Sequence, residues 1–183
     1  SLFSGCGGMD IGFEGNFKCL RRSVNVDLHP DWIVEGDEKW VTLKKTIFDT
    51  IFANDIRPDA KAAWVSYFES RKENANDVYH IESIVDLVKR ANNGEKVLPE
   101  NVDVVTGGFP CQDFSVAGKR QGFDSDKSHT GKKIVDSNTP SVESRGQLYM
   151  WMREVISVTQ PKVFIAENVK GLANLGDVKA IIE

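Results

Sequence analysis

The chain has 183 residues, 40% of them hydrophobic and 27% charged, a composition that buries a real core and excludes a disordered or mini-protein reading. With 23 basic and 27 acidic residues the net charge is -4, which excludes a uniformly basic nucleic-acid coat but leaves room for a local basic patch. No apolar run approaches the ~20 residues of a membrane span, and no basic-then-apolar signal segment opens the chain.

Length suggests one domain. Short β-branched or aromatic runs alternate with helical periodicity, the pattern of βαβ units on a mostly parallel sheet. Residues 1–4 read as the end of a first strand, followed by the turn Gly5-Cys6-Gly7-Gly8 and a short helix through Phe17. Residues 18–45 are mixed in charge and turn-rich, and read as an excursion. A second strand is expected over Thr46 to Ala53, then a helix from about Asp59 to Arg71 with Pro58 at its first turn. Val78 to Ile81 reads as a short strand leading into a helix that carries Ile84, Leu87 and Val88 on one face and stops at Asn92-Asn93-Gly94. Val102 to Thr106 has the character of a buried strand. The polar stretch Ser115 to Ser144 reads as a long loop, Gly146 to Thr159 as a helix and Val163 to Ala166 as a last strand. Both ends look interrupted: Ser1-Leu2-Phe3 continues a strand already under way, and Asp177 to Glu183 resembles a helix cut short. The sequence is therefore expected to be a fragment.

Ligands of open parallel sheets collect at the carboxyl ends of the strands, and three such ends carry chemistry here. Glycines after the first strand allow close backbone approach, and a following helix start favours an anion. The spacing departs from the dinucleotide pattern, and a plain structural turn would look the same. Asp55, past the second strand, suits the ribose hydroxyls of a nucleoside such as S-adenosylmethionine, or caps the helix that begins near Pro58. Cys111 stands in the turn after Val102 to Thr106, behind two glycines and Pro110. A thiolate is readily stabilised in such a turn, although an inert buried cysteine fits too. Glu167-Asn168 ends the neighbouring candidate strand and either brings a carboxyl beside that thiol or caps a helix. The cysteines Cys6, Cys19 and Cys111 form an odd set with no CxxC pair, which favours free thiols in a reducing compartment over a disulfide framework or a zinc site. No metal is expected.

Together these segments resemble the cytosine-5 methyltransferase family, which modifies DNA and, in one branch, tRNA. Phe3-Ser4-Gly5-Cys6-Gly7-Gly8 is similar to its first cofactor motif, and Phe52-Ala53-Asn54-Asp55 to its ribose-binding acidic motif. Gly107-Gly108-Phe109-Pro110-Cys111-Gln112-Asp113-Phe114-Ser115, continuing to Gly118-Lys119 and Gly122-Phe123, resembles the catalytic Pro-Cys-Gln motif and its mobile loop. Arg145-Gly146-Gln147-Leu148-Tyr149 resembles the helix start after that loop, and Glu167-Asn168-Val169 the Glu-Asn-Val motif. The motifs run in family order along nearly the whole chain.

The resemblance implies an α/β, Rossmann-like S-adenosylmethionine-dependent methyltransferase fold, mostly parallel and incomplete at its C-terminal end. Residues 1–183 would be the N-terminal part of the catalytic and cofactor-binding domain, with an insertion at 18–45 and a catalytic loop at 115–144. It implies methyl transfer from S-adenosylmethionine to C5 of cytosine in double-stranded DNA, through base flipping and a covalent adduct between Cys111 and C6. The implied catalytic residues are Cys111, Glu167 (near N3 of the base), Asn168, Gln112 and Pro110. The implied cofactor site is Phe3, Ser4, Gly5, Cys6, Gly7, Gly8, Asn54, Asp55, Ile56, His80, Ile81, Gly108, Pro110 and Leu148. Nucleic-acid contacts fall to Ser115, Lys119, Arg120 and Arg145. From Ser115 to Lys133 there are five basic and two acidic residues, a local balance of +3.

Some positions depart from the family pattern. Ser1 stands where many relatives have Asp. His80-Ile81-Glu82 replaces the usual acidic adenine contact, and His80 is equally a plain strand-end histidine. The family's later arginine motif, target recognition domain and final cofactor motif have no counterpart here, so these residues alone are expected to be inactive without them. A bacterial or phage modification enzyme in the cytoplasm is expected. The alternatives are a tRNA methyltransferase, a non-catalytic DNA-binding or regulatory homologue, and a thiol hydrolase pairing Cys111 with His29, His80 or His129.

Overall fold

The computed structural model describes residues 1–110 and 148–169, and it divides into two compact units: Ser1–Cys6 with Phe52–Glu183, and Gly7–Ile51.

The first unit is built on parallel strands. β4 (Ala53–Asp55) pairs with β5 (Tyr79–Ile81), and β6 (Val104–Gly107) pairs with β7 (Val163–Ala166). Leu2 bridges both Asn54 and Gly107 in parallel, giving the spatial order β5, β4, Leu2, β6, β7. The first chain segment is thus central. Later strands are added on one side and then on the other, which makes the position beside Leu2 a topological switch point.

Helices pack against this sheet, although all four residues of β7 are exposed. α2 (Pro58–Phe68) starts with proline in its first turn and buries Ala60, Trp64 and Phe68, spaced one helical turn apart. The short α3 (Ala75–Val78) leads into β5. α4 (Ile84–Asn92) is capped by the Ser83 hydroxyl, which accepts from the Val85 amide, and buries Ile84, Val85, Leu87 and Val88. α5 (Leu148–Thr159) buries Leu148, Met152 and Val155. Successive strand residues point to opposite faces. Tyr79 accordingly packs against Trp64 of α2, ring centroids 5.5 Å apart. His80 stacks at 4.6 Å on Phe52, part of the cluster formed with α4 and α5.

The second unit holds the residues expected only as an excursion. α1 (Gly8–Glu14) is followed by an antiparallel sheet of β1 (Lys18–Leu20), β2 (Ile33–Gly36) and β3 (Trp40–Leu43), with β3 in the middle. The Asp37 carboxylate closes the β2–β3 turn by accepting the amides of Lys39 and Trp40, each at 2.7 Å. Those two hydrogen bonds to the charged form hold its carboxyl below the usual range. No helix among the described residues is long and apolar enough to cross a membrane.

The strand expected over Thr46 to Ala53 forms only at its far end, as Ala53–Asp55. Residues 46–50 are held by α1 instead. The Thr46 hydroxyl donates to the Phe13 carbonyl, the Thr46 amide to Glu14 O at 2.9 Å and the Thr50 amide to the Glu14 carboxylate at 2.9 Å. Phe48 meets Phe13 edge-on, centroids 5.2 Å apart. Of the apolar residues that imitate a strand, Phe48 packs on α1, while Ile47 and Ile51 are exposed. The strand expected from Val102 likewise starts at Val104.

Trp64 is fully buried and stacks on Phe68 at 4.1 Å. Trp64→Ala is expected to lower stability by about 3–5 kcal/mol, the range for emptying an aromatic core site. A urea denaturation midpoint measured against wild type checks this.

Candidate active site

Leu2 and Ser4 hydrogen-bond outward in opposite directions: Leu2 N donates to Thr106 O at 2.8 Å, and Ser4 N to Asn54 O at 2.9 Å. Phe3 between them adopts φ 53°, a left-handed conformation that costs a side-chain-bearing residue about 1–3 kcal/mol and persists only where neighbours dictate it. Gly5 follows at φ 52°, which glycine accepts freely. The loop beginning at Phe3 therefore leaves the centre of the sheet in a fixed direction. Gly7 is the N-cap of α1 and Gly8 its first residue, and Cys6 is exposed.

Around this loop lie the ends of β4 and β5. Asp55 accepts the Gly5 amide on Oδ2 at 3.0 Å and the Arg57 amide on Oδ1 at 3.1 Å. Asn54, 1% exposed, uses its side-chain amide on the carbonyls of Glu82 at 2.8 Å and His80 at 3.3 Å. Asn54 thus fastens the two strand ends to each other. Ile56 and Ile81, 43% and 46% exposed, leave an apolar side chain beside Asp55 and beside His80. His80 lies at the surface, but Phe52 covers one face of its ring. That covering, reinforced by the Lys61 ammonium and opposed by Glu82, lowers its pKa below the ordinary value. Tyr79 is a residue that sequence reasoning missed: its hydroxyl donates to the Gly5 carbonyl at 2.8 Å.

The second centre joins the ends of β6 and β7. Glu167 N donates to Gly107 O at 2.8 Å, extending the strand pairing. The Glu167 carboxylate lies so close to Gly108 that a Cβ built there would be 3.2 Å from Oε2. A side chain at 108 would sit tight against the acid, which would have to give way by a few tenths of an ångström. Asn168 Nδ2 donates to Phe109 O at 2.9 Å, and its Oδ1 accepts the Val169 amide at 2.9 Å. A carboxylate and an amide just past β7 thereby lie against Gly108 and Phe109, which precede Pro110 and Cys111 in the sequence. Leu148 is 3% exposed and packs in the core with Leu2, Val105 and Phe109. Cys111, Gln112, Ser115, Lys119, Arg120 and Arg145 lie outside the described residues.

These two groups of strand-end residues lie at the carboxyl edge of a parallel sheet, at its switch point, the place where ligands of open α/β sheets collect. The family model for C-5 cytosine-specific DNA methylase matches residues 1–182, and the chain belongs to that family. Its fold is accordingly the Rossmann-like fold of S-adenosylmethionine-dependent methyltransferases. The chain is 30% identical over 181 residues to the Type II methyltransferase M.NgoFVII of Neisseria gonorrhoeae, covering 99% of this chain and 32% of that protein. It is 30% identical over 176 residues to M.BspRI of Lysinibacillus sphaericus, covering 96% and 33%. With M.AquIA of a Picosynechococcus strain it shares 31% identity over 181 residues, covering 99% and 52%. The chain thus spans about a third to a half of the length of these relatives.

The covered His80 ring gives a direct check. An NMR titration is expected to place its midpoint below the ordinary value of about 6.5. Between that lowered midpoint and 6.5 the unfolded chain binds more protons than the folded one. Stability from this group therefore rises with pH across the window and is complete above it. Phe52→Ala is expected to return the midpoint toward 6.5.

Proposed function

We propose that this protein methylates C5 of cytosine in double-stranded DNA, taking the methyl group from S-adenosylmethionine, as a sequence-specific modification enzyme. The observation that carries the reading is the joining of β6 and β7, where Glu167 and Asn168 hold the segment that enters Pro110-Cys111-Gln112.

The residues at the first centre suit an adenosyl group. A carboxylate offers about four acceptor positions. Two on Asp55 are taken by the amides of Gly5 and Arg57, which leaves capacity for ribose hydroxyls. Ile56 and Ile81 offer apolar surface to a purine, and the turn at Gly5 offers backbone without a side chain. Asn54, by contrast, supports the site from behind, because its amide is engaged with backbone carbonyls. When bound, the cofactor supplies an electrophilic methyl group.

Cytosine C5 is a poor nucleophile, so the chemistry falls to the second centre. The Cys111 thiolate adds to C6, and the new S–C6 bond raises electron density at C5. Glu167 holds a proton at N3 so that charge does not accumulate on the ring. Asn168 keeps the Phe109-Pro110 backbone in register with that acid. Once C5 carries the methyl group, loss of its proton and of the sulfur restores the aromatic base. C6 is covered in a stacked duplex, so the base turns out of the helix at a cost of a few kcal/mol. Ser115, Lys119, Arg120 and Arg145 contact the phosphates around the opening. A cytoplasmic location and a role in restriction-modification accord with this reading, given relatives named Type II methyltransferases.

The test uses full-length protein with tritiated S-adenosylmethionine and either DNA or tRNA. Label is expected in DNA, and Cys111→Ser is expected to reduce transfer by roughly 10³-fold or more. Label in tRNA alone overturns the substrate, and transfer surviving the substitution overturns the nucleophile. Glu167→Gln is expected to slow transfer by roughly 10²–10⁴-fold, the usual worth of a positioned acid, while leaving cofactor affinity in place. Wild-type protein is expected to form a stable covalent complex with DNA carrying 5-fluorocytosine, read as a shifted band on a denaturing gel.

A further inference from the structure

Both backbone polar atoms of Gly5 are held by side chains from different strand ends. Its N–H goes to Asp55 Oδ2 at 3.0 Å, and its carbonyl accepts the Tyr79 hydroxyl at 2.8 Å. The two atoms belong to successive peptide units, so fixing both sets the φ and ψ of a glycine that would otherwise move freely at φ 52°. Tyr79 is itself held on several sides. It is 1% exposed, its ring lies against Trp64, its backbone pairs with Ala53 of β4, and its carbonyl accepts the Lys61 ammonium at 2.8 Å. Neither the first cofactor motif nor the acidic motif contains this residue.

We propose that Tyr79 is a positioning residue for the cofactor loop: its hydroxyl, acting opposite Asp55, locks the Gly5–Cys6 peptide so that the loop is preorganised before the adenosyl ligand binds. The inference rests on the reading of this loop as the cofactor site. Without the hydroxyl, Gly5 regains its freedom and binding must order it again. The phenyl ring of Tyr79→Phe keeps the contact with Trp64, so the core is preserved.

The experiment compares wild type and Tyr79→Phe in full-length protein by calorimetric titration with S-adenosylhomocysteine and by amide exchange at Gly5. The variant is expected to bind roughly three- to tenfold more weakly, the worth of one net hydrogen bond. Gly5 is expected to exchange faster, while the melting temperature and kcat at saturating cofactor stay close to wild type. Equal affinity in the two proteins overturns the proposal, as does unchanged exchange at Gly5. A lowered melting temperature without an affinity change assigns Tyr79 to the core alone and overturns it too. If wild type fails to bind S-adenosylhomocysteine, the cofactor reading fails, and exchange at Gly5 still decides whether the hydroxyl locks the loop.

Discussion

The amides of Leu2 and Ser4 reach in opposite directions, to Thr106 in β6 and to Asn54 in β4, and the rest of the first unit depends on that double pairing. It places a segment of a few residues at the centre of the parallel sheet. It also drives Phe3 into a left-handed conformation that its own side chain disfavours. From there the chain emerges in one direction only, between the end of β4 and the end of β6. Asp55 and Tyr79 then receive Gly5 from two sides, and the loop conformation is decided by its surroundings more than by its glycines.

The second centre follows from the same sheet. Parallel register between β6 and β7 carries the pairing one residue past the strands, to Glu167 N on Gly107 O. That extension is what brings a carboxylate over Gly108 and an amide onto the Phe109 carbonyl. Neither contact would survive a slip of one residue, which sends each side chain to the other face. The acid just past β7 and the Gly108-Phe109 backbone therefore have their common address set by strand register.

Much of this was legible in the residues. Pro58 and the spacing of Ile84, Leu87 and Val88 announce their helices through local physics, because helix starts and periodicity act within a turn or two. Thr46 to Phe52 misleads for the converse reason. An apolar, β-branched run fits a strand or a lid on a helix equally well, and the choice is made by Phe13 and Glu14, more than thirty residues away in sequence. The excursion at 18–45 hid an antiparallel sheet because its pairing, Lys18 with Thr42 for example, is also long-range.

The sequence by itself determined the chemistry on offer: the glycine turn, Asp55, the cysteine behind Pro110, and Glu167-Asn168, in an order that matches one family. Tertiary structure decided which of these residues stand at the strand-end edge and which hold others in place. Asn54 and Asp55 are neighbours in one motif, yet alternation along β4 turns one amide into the fold and leaves the other residue's carboxylate at the loop. Tyr79 carries no motif at all and becomes a partner of Gly5 only because parallel pairing sets β5 beside β4. Strand order and register are set by contacts between residues far apart in the chain, and no local pattern encodes them.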